Sequence, residues 1–530
     1  MESQRIESNT YRTYNQLVED FITGQPITKK LKARVYSEAL ALQYASQREF
    51  TAESRSILVE ALKSQYAKAG IDSANGILSA QLGMLSKSAS YTITTGHQLC
   101  LITGPLYFPI KILQIIKMCE NLNSAQEGKT FIPVFWMASE DHDFDEVNHA
   151  HIFGKTLEWN DEQGGIVGDY NCESLETTLL EIKTILGNSE RADELMALFN
   201  ESYSSDANLS IATRRLVHAL FGHKGLIILD ANDPELKKAL SPYLLREVAE
   251  QLSNTLVAQT NELLTTDYKI QVNPRPINLF YISSNSRMRI DLDNKEFRTE
   301  NGGKTWQLDE IKAEIVEYPE RFSPNVILRP LYQEIILPNI AYVGGPGEIS
   351  YWLQLAASFE GFGVQFPLLS LRNSFVWLDA AKMKKLNKLD LLPEDLFLSE
   401  PDVTMKLVNL EEDANEIEAE TISIMQSFEN IAQSFQKVDA SLKAYTLAEG
   451  RKTEKQLEEI KKRLIRAKKD KNREQLDSYW NMHEKVFPKG NLHERYDNFV
   501  PYYLKHGAVF FDTLSDAIDP VDTRLCVISE

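Results

Sequence analysis

Apolar and polar positions change period several times along this chain, and each change marks an element. Over residues 1–90 the apolar positions recur at helical spacing, as in "SILVEALKSQYAKAG", which closes on Gly70, a helix stop. "SYTITTG" then compresses into a β-branched run bounded by Gly96 and predicts a buried strand. The following stretch returns to helical period, with Pro105 in the first turn and an end near Asn123, because a first-turn residue needs no N–H partner. "TFIPVFWMAS" is a second buried strand with acids at its carboxyl end. Strand, helix, strand makes a βαβ unit, which calls for a parallel sheet with its chemistry in the loops at the strand ends.

From about 150 to 325 the pattern alters. "GLIILDANDPELKKAL" is one further strand–helix unit, whereas "YKIQVNPRPINLFYI" and "RMRIDLDNKEFRTENGGKTW" alternate like an antiparallel excursion around a Gly-rich turn. The βα pattern resumes through "NIAYVGGPGEISYWLQL" and "PLLSLRNSFVWL" as strand, glycine turn, helix, strand and polar loop. Further on, Ile417, Ile424, Ile431, Val438 and Tyr445 fall every seven residues, with Thr421, Phe428, Phe435 and Leu442 between them. That is an a/d seam. Gly450 interrupts it and a second helix carries Leu457, Ile460, Leu464 and Ala467, so two helices around a glycine turn form an antiparallel hairpin. Such an arm packs on a second copy, which predicts a homodimer. The basic run 451–473 reads as a solvated helix face. The reading divides the chain into an N-terminal helical segment packing on the core (1–90), the first half of the core (91–150), insertions with one further βα unit (151–325), the second half of the core (326–400), a coiled-coil arm (401–487) and a segment returning to the core (488–530).

Composition sharpens this picture. The 530 residues are 43% hydrophobic and 25% charged, the profile of a folded chain with sizeable cores. A formal charge of −19 opposes general nucleic-acid binding but leaves room for a small anion in a local pocket. The opening residues contain no apolar signal-like run, and no apolar stretch reaches membrane-spanning length. Four scattered cysteines, Cys100, Cys119, Cys172 and Cys526, form no CxxC pair, so a cytoplasmic protein without disulfides or a structural zinc site is expected.

The chemistry-bearing residues sit where the βα pattern puts loops. Thr103, Gly104 and Pro105 begin a helix, where free N–H groups and the dipole suit a phosphate or carboxylate; an ordinary capped turn is the alternative. His97 and Gln98, just past the first strand, could donate to the same anion. Glu140 and Asp141 stand at the end of the second strand, suited to an ammonium, a ribose or water-bound Mg²⁺, with Asp143 beside them. His149 and His151 complete an acid–histidine cluster, but their spacing is not that of HExxH. Gly344, Gly345 and Gly347 allow close backbone approach before the helix that carries Glu348 and Tyr351. Arg372 with Asn373 and Ser374 could clamp phosphate, and Arg329 is a second cation. Cys100 has no nucleophile-activating partners in view and reads as buried and inert.

"TTGHQLCLITGPLYFPIKIL", "PVFWMASEDHDFDEVNHAHI", "NVILRPLYQEIILPNIAYVGGPGEISYWLQL", "PLLSLRNS" and "VFPKGNLHERYDNFVPYYLKHG", in this order, closely resemble the cysteine-adding ligase family of bacillithiol biosynthesis over essentially the whole chain. The resemblance implies an α/β fold: a Rossmann-type parallel core like that of class I aminoacyl-tRNA synthetases, connecting-peptide insertions and a C-terminal coiled-coil hairpin. It implies that cysteine's carboxyl is joined to the glucosamine amine of glucosaminyl-malate through ATP, with Mg²⁺, by way of a cysteinyl-adenylate. In that scheme Glu140, Asp141 and Arg372 are catalytic, and His97, Gln98, Asp143, Arg329, Glu348 and Tyr351 bind substrate. Thr103, Gly104, Pro105, Gly344, Gly345, Gly347, Asn373 and Ser374 hold the nucleotide. Family members often carry Gln where His97 stands here, and neither the HIGH nor the KMSKS string of the synthetases is present. A metal-dependent hydrolase built on residues 140–151 and a non-catalytic nucleotide-binding protein are the alternatives.

Overall fold

The computed structural model describes residues 2–7, 14–125, 128–408 and 411–530, with side chains omitted at 411–415. The chain divides into two compact units. The larger spans Arg12–Phe375 and Glu494–Cys526, and the smaller takes in Met1–Tyr11, Val376–His493 and Val527–Glu530.

The larger unit is built on five parallel strands: β1 (Ser90–His97), β2 (Thr130–Met137), β3 (Ile227–Asp230), β4 (Asn339–Gly344) and β5 (Leu368–Leu371), in the order β5-β4-β1-β2-β3. β1 and β2 pair parallel over their whole length, from Ser90 opposite Thr130 to His97 opposite Met137. Both are buried on both faces, as strands covered on two sides must be, which is why their sequences read as near-continuous apolar runs. The buried threonines of β1 are satisfied inside the sheet. Thr94 Oγ1 donates to Asn339 Oδ1 at 2.8 Å, and Thr95 Oγ1 to the Val343 carbonyl at 2.8 Å. Strand order reverses between β1 and β4, so a crevice opens at their carboxyl ends. The N-terminal helices pack on this sheet: Arg55 Nη1 caps Ser90 Oγ at 2.9 Å, and Val35 pairs with Leu369 beside β5.

Two local expectations are corrected here. The helix after β1 starts at Tyr107, not Pro105, and runs to Ala125 (α1). Ile102 and Thr103 hold positive φ (48° and 65°), and Asn498 Nδ2 donates to the carbonyls of Ile102 and Gly104, both at 2.7 Å, so these peptides are fixed in a turn. The expected strand from Tyr268 begins only at Leu279, because Pro274 and Pro276 cannot donate to a ladder. From there the antiparallel excursion is a five-stranded sheet through Leu279–Ser283, Ser286–Asp293, Glu296–Thr299, Thr305–Trp306 and Phe322–Pro324.

The smaller unit has a three-stranded sheet (Glu2–Ile6, Leu525–Ser529, Phe375–Leu378) and a helical hairpin, α2 (Glu411–Gln436) and α3 (Ala440–Lys471). The hairpin is antiparallel, but its turn lies at 437–439 and not at Gly450. Asp439 caps α3 by accepting from Ser441 N at 2.8 Å. Gly450 is helical and buried; a Cβ there would stand 3.2 Å from Phe428, so the glycine permits close helix approach instead of ending a helix. Val438, Leu442 and Tyr445 therefore lie beyond α2 and do not extend its seam. Lys461 reaches Glu418 across the hairpin at 3.3 Å, Lys452 and Lys462 pair with acids of their own helix, and Arg473, which starts the next helix, pairs back to Asp470.

In the smaller unit His493, 3% exposed, accepts the Trp377 N–H on Nε2 at 2.9 Å. Burial, with Lys382 adding to it, pushes this imidazole down to about 3. Burial and then Lys111 push His97 of the larger unit down to about 4. Both groups bind a proton more readily unfolded, near pH 6.5, than folded. Their contribution is complete above pH 6.5 and is lost as pH falls toward 4. A urea midpoint that declines steeply between pH 6.5 and 4, less so in His493→Gln, is expected; equal slopes for the two proteins would reject the assignment.

Candidate active site

A cleft of about 750 Å³ opens over the carboxyl ends of the parallel strands, entirely within the larger unit. Its floor is Gly96 and His97 at the end of β1, Met137 at the end of β2 with Ala138–Asp141 after it, Ala231 after β3, Gly345–Glu348 after β4 and Arg372 after β5. Phe280, Arg287 and Pro324–Val326 of the antiparallel excursion form one wall, and Arg495 lies on the rim. Six cations line it (Lys111, Arg275, Arg287, Arg329, Arg372, Arg495) against three carboxylates (Glu140, Asp141, Glu348), a net +3 in a chain of −19. Low-dielectric walls concentrate that field, so the cleft selects anions from solution.

At its centre is a buried network. Lys111, on the inner face of α1, donates from Nζ to the Gly96 carbonyl and to Glu348 Oε2, each at 2.6 Å. Glu348 Oε1 accepts from the Tyr342 hydroxyl at 2.6 Å, and Oε2 also caps Gly345 N at 2.8 Å. Burial by itself would raise the Glu348 carboxyl; Lys111 and these hydrogen bonds outweigh it and hold the carboxyl below its usual value. Burial lowers Lys111 despite the attraction of Glu348. Arg329 stands over Trp136, Tyr342 and Trp352, 5.5, 5.6 and 5.8 Å from the ring centroids, and bonds Gln333 Oε1 at 3.1 Å.

His97 lies in the same cleft, with Nδ1 2.8 Å from the Gln98 carbonyl. A carbonyl only accepts, so Nδ1 carries the hydrogen and Nε2 is a bare acceptor. At about 4 the ring stays neutral through the physiological range. Gln98 Nε2 donates to Asp141 Oδ2 at 2.7 Å, and Asp141 Oδ1 accepts from His142 N at 2.8 Å. Glu140 is paired with the fully buried Lys237. The loop is braced from below, since Val167 N donates to the Asp141 carbonyl (2.7 Å) and Gly168 N to that of Ser139 (2.9 Å).

The structure thus gathers His97, Gln98, Glu140, Asp141, Arg329, Gly345, Gly347, Glu348, Tyr351 and Arg372 around one cavity. It does not bring Asp143, Thr103, Gly104, Pro105, Gly344, Asn373 or Ser374 to the lining. Asp143 is exposed beyond it. Thr103 is buried, and a Cβ on Gly104 would come within 2.7 Å of Cys100 Cβ, so that turn is a packing feature. Gly344 gives its carbonyl to Arg372 N at 2.8 Å. Asn373 turns its amide to the Asp522 carbonyl at 2.9 Å. Arg372 is 4% exposed, with Nη2 on Glu494 at 2.7 Å and Nη1 on the Asn373 carbonyl at 2.7 Å. Cys100 is buried, and burial pushes its thiol up to about 12, far from a thiolate at neutral pH. His149 and His151 lie on a separate hairpin, where His151 stacks on Tyr496 at 3.9 Å. Among the described residues no three His, Cys, Asp or Glu side chains are grouped to hold a metal ion. Lys111, Arg275, Arg287 and Arg495 were not foreseen; a lone lysine in the apolar stretch "PIKILQII" was the one signal available.

Comparison with known proteins adds the following. Residues 1–373 match the family described as "Bacillithiol biosynthesis BshC, N-terminal Rossmann-like domain", and 375–530 match the one described as "Bacillithiol biosynthesis BshC, C-terminal coiled-coil domain". A protein of Flavobacterium psychrophilum named "Putative cysteine ligase BshC" is 39% identical over 477 residues, 90% of this chain and 89% of its own. One of the same name from Flavobacterium johnsoniae is 36% identical over the full length of both. A solved Campylobacter jejuni structure titled "putative arginyl t-RNA synthetase" aligns with 87% of this chain and 98% of its own, at 11% identity and a TM-score of 0.20.

Proposed function

The chain belongs to the bacillithiol biosynthesis BshC family, and from that premise we propose that it is a ligase joining L-cysteine's carboxyl to the glucosamine amine of glucosaminyl-malate. The observation that carries the reading is the net-positive cleft with two carboxylates, Glu140 and Asp141, at the end of β2. Such a lining suits a polyanion and an amine side by side.

A carboxylate resists attack by an amine until one of its oxygens can leave. ATP, bound with Mg²⁺, would supply the adenylyl group: the cysteine carboxylate would attack the α-phosphorus with loss of pyrophosphate, and adenosine monophosphate would leave when the sugar amine forms the amide. The residues present fit such a polyanion. Gly347, in the first turn of the helix Pro346–Phe362, has open space where a Cβ would stand, and first-turn N–H groups lack partners within a helix. Arg372 Nε is buried and has no hydrogen-bond partner among the described residues. Arg372 and Arg495 stabilise negative charge that develops near this helix start. Asp141 and Glu140 orient the ammonium of cysteine or the sugar amine. A carboxylate of the cleft, Asp141 or Glu140, takes the proton that the amine releases on attack. A second copy is the proposed partner of the arm, where Ile422, Ile431, Phe435, Tyr445 and Ile460 are exposed.

The test is exchange of labelled pyrophosphate into ATP with and without cysteine, followed by product analysis with glucosaminyl-malate. Exchange that requires cysteine, and a new amide-linked thiol, are expected from a preparation that sediments as a dimer. Product without exchange or adenosine monophosphate would remove ATP from the scheme, absence of product under all conditions would remove the ligase, and a monomer would remove the partner.

A further inference from the structure

The antiparallel excursion carries four arginines whose surroundings differ. Arg289 faces Asp291 at 2.9 Å, Arg298 faces Asp293 at 2.9 Å, and Arg321 faces Glu314 at 3.2 Å. Arg287 lines the cleft, yet none of its contacts is a carboxylate. Nε donates to Ser323 Oγ (3.1 Å), Nη2 to the Pro324 carbonyl (3.1 Å), Nη1 lies 3.1 Å from His142 Nδ1, and the Phe280 ring lies 3.9 Å beneath the guanidinium. Among the described residues no carboxylate stands within ion-pair distance of it. Glu140 and Asp141 act on it only from further off, and Glu140 is already matched by Lys237.

A largely buried cation without a carboxylate beside it is costly unless something negative completes it. Its rigid mounting suits a planar, two-oxygen partner. A second cation hangs from the same edge. Arg275 lines the cleft, and its loop is tied to Asn278, which accepts from Arg275 N at 3.1 Å and from Asn325 Nδ2 at 3.0 Å. Asn325 directly follows the Pro324 carbonyl that holds Arg287. The other cations keep different company: Lys111 bonds Glu348 at 2.6 Å, Arg372 lies 5.5 Å from the Tyr107 ring centroid and Arg329 stands over Trp136, Tyr342 and Trp352. The cleft therefore carries two sets of cations with separate partners.

We propose that Arg287 and Arg275 form a carboxylate-binding subsite for the dicarboxylate arm of the acceptor sugar. The assignment rests on the ligase reading for the acceptor's identity. It moves the dicarboxylate away from Arg329, whose guanidinium is already enclosed by three aromatic rings. It also leaves the glycine helix start and Arg372 to the phosphates, so acceptor and nucleotide are held by different cations.

The experiment is titration calorimetry of the full chain with L-malate, glucosaminyl-malate and ATP, on wild type, Arg287→Lys and Arg275→Gln. Arg287→Lys keeps the charge but loses the fork, and Arg275 is exposed, so Arg275→Gln is expected to fold even where a substitution at Arg287 does not. Both variants are expected to weaken glucosaminyl-malate binding, Arg287→Lys by roughly 30-fold, with ATP binding within about twofold of wild type. Weakened ATP binding with unchanged acceptor binding would make this end the phosphate site and overturn the proposal, as would unchanged affinities throughout or a wild type that binds neither malate probe. If wild type binds malate through these arginines but forms no amide product, the ligase reading falls and the carboxylate subsite stands.

Discussion

Replacing Lys111 by methionine is expected to lower turnover by roughly 10²–10³-fold and to cost about 3 kcal/mol of stability. The Nζ group holds two walls of the cleft at once, the Gly96 carbonyl at the end of β1 and the Glu348 carboxylate at the helix start after β4. Methionine fills the space but leaves that carboxylate without its cation. The Glu348 side chain keeps 27% of its surface exposed, so some solvation is recovered and the cost falls at the low end for a broken buried pair. Without Lys111, burial dominates and the Glu348 carboxyl rises. The stranded group then takes up a proton as pH falls, and the gap between variant and wild type should narrow from pH 8 to pH 5. Urea midpoints across that range check the sign, and a gap that does not depend on pH removes the charge explanation. The double variant Lys111→Met, Glu348→Gln should regain most of the stability and little of the turnover. That result separates a positioning role from a merely structural one.

The same residues show what could be read ahead of the structure. "SYTITTG" and "TFIPVFWMAS" were legible because a strand buried on both faces needs an unbroken apolar, β-branched run, and the acids after the second run had to emerge at the strand end. The family resemblance supplied the rest of the Rossmann-like core, and the family models match on both sides of residue 374. What failed depends on distant contacts. Gly450 carries the local signal of a helix stop, yet its lack of a side chain serves Phe428 on the facing helix. The turn at Thr103–Pro105 looks like an anion-binding helix start, but Asn498, nearly four hundred positions away, takes two of its carbonyls. Arg287 and Arg289 occupy alternate positions of one strand in "SRMRIDLD"; Arg289 meets Asp291 two residues on along the same face, a local pair that strand alternation permits. That Arg287 instead meets Ser323, Pro324 and His142 depends on distant segments, and periodicity carries no record of it.

Glu494→Gln is expected to be among the most destabilising conservative substitutions in the larger unit, by about 3–4 kcal/mol, and to reduce activity with it. Glu494 and Arg372 are 1% and 3% exposed at the side chain and meet at 2.7 Å. The second carboxylate oxygen accepts the Phe375 N–H at 2.7 Å, so one side chain fixes both ends of the loop that follows β5. Glutamine can still accept from Phe375 but cannot neutralise Arg372, which would remain a buried cation over the Tyr107 ring, 5.5 Å from its centroid. Arg372→Leu combined with Glu494→Gln removes the charge while retaining the Phe375 acceptor. Its urea midpoint should recover toward wild type, because exchanging a buried pair for apolar packing is often close to neutral. Its turnover should not recover, since the cation facing the cleft is gone. A midpoint for Glu494→Gln within about 1 kcal/mol of wild type would mean that solvent already reaches the pair, and Arg372 could not then act as a dry, preorganised charge.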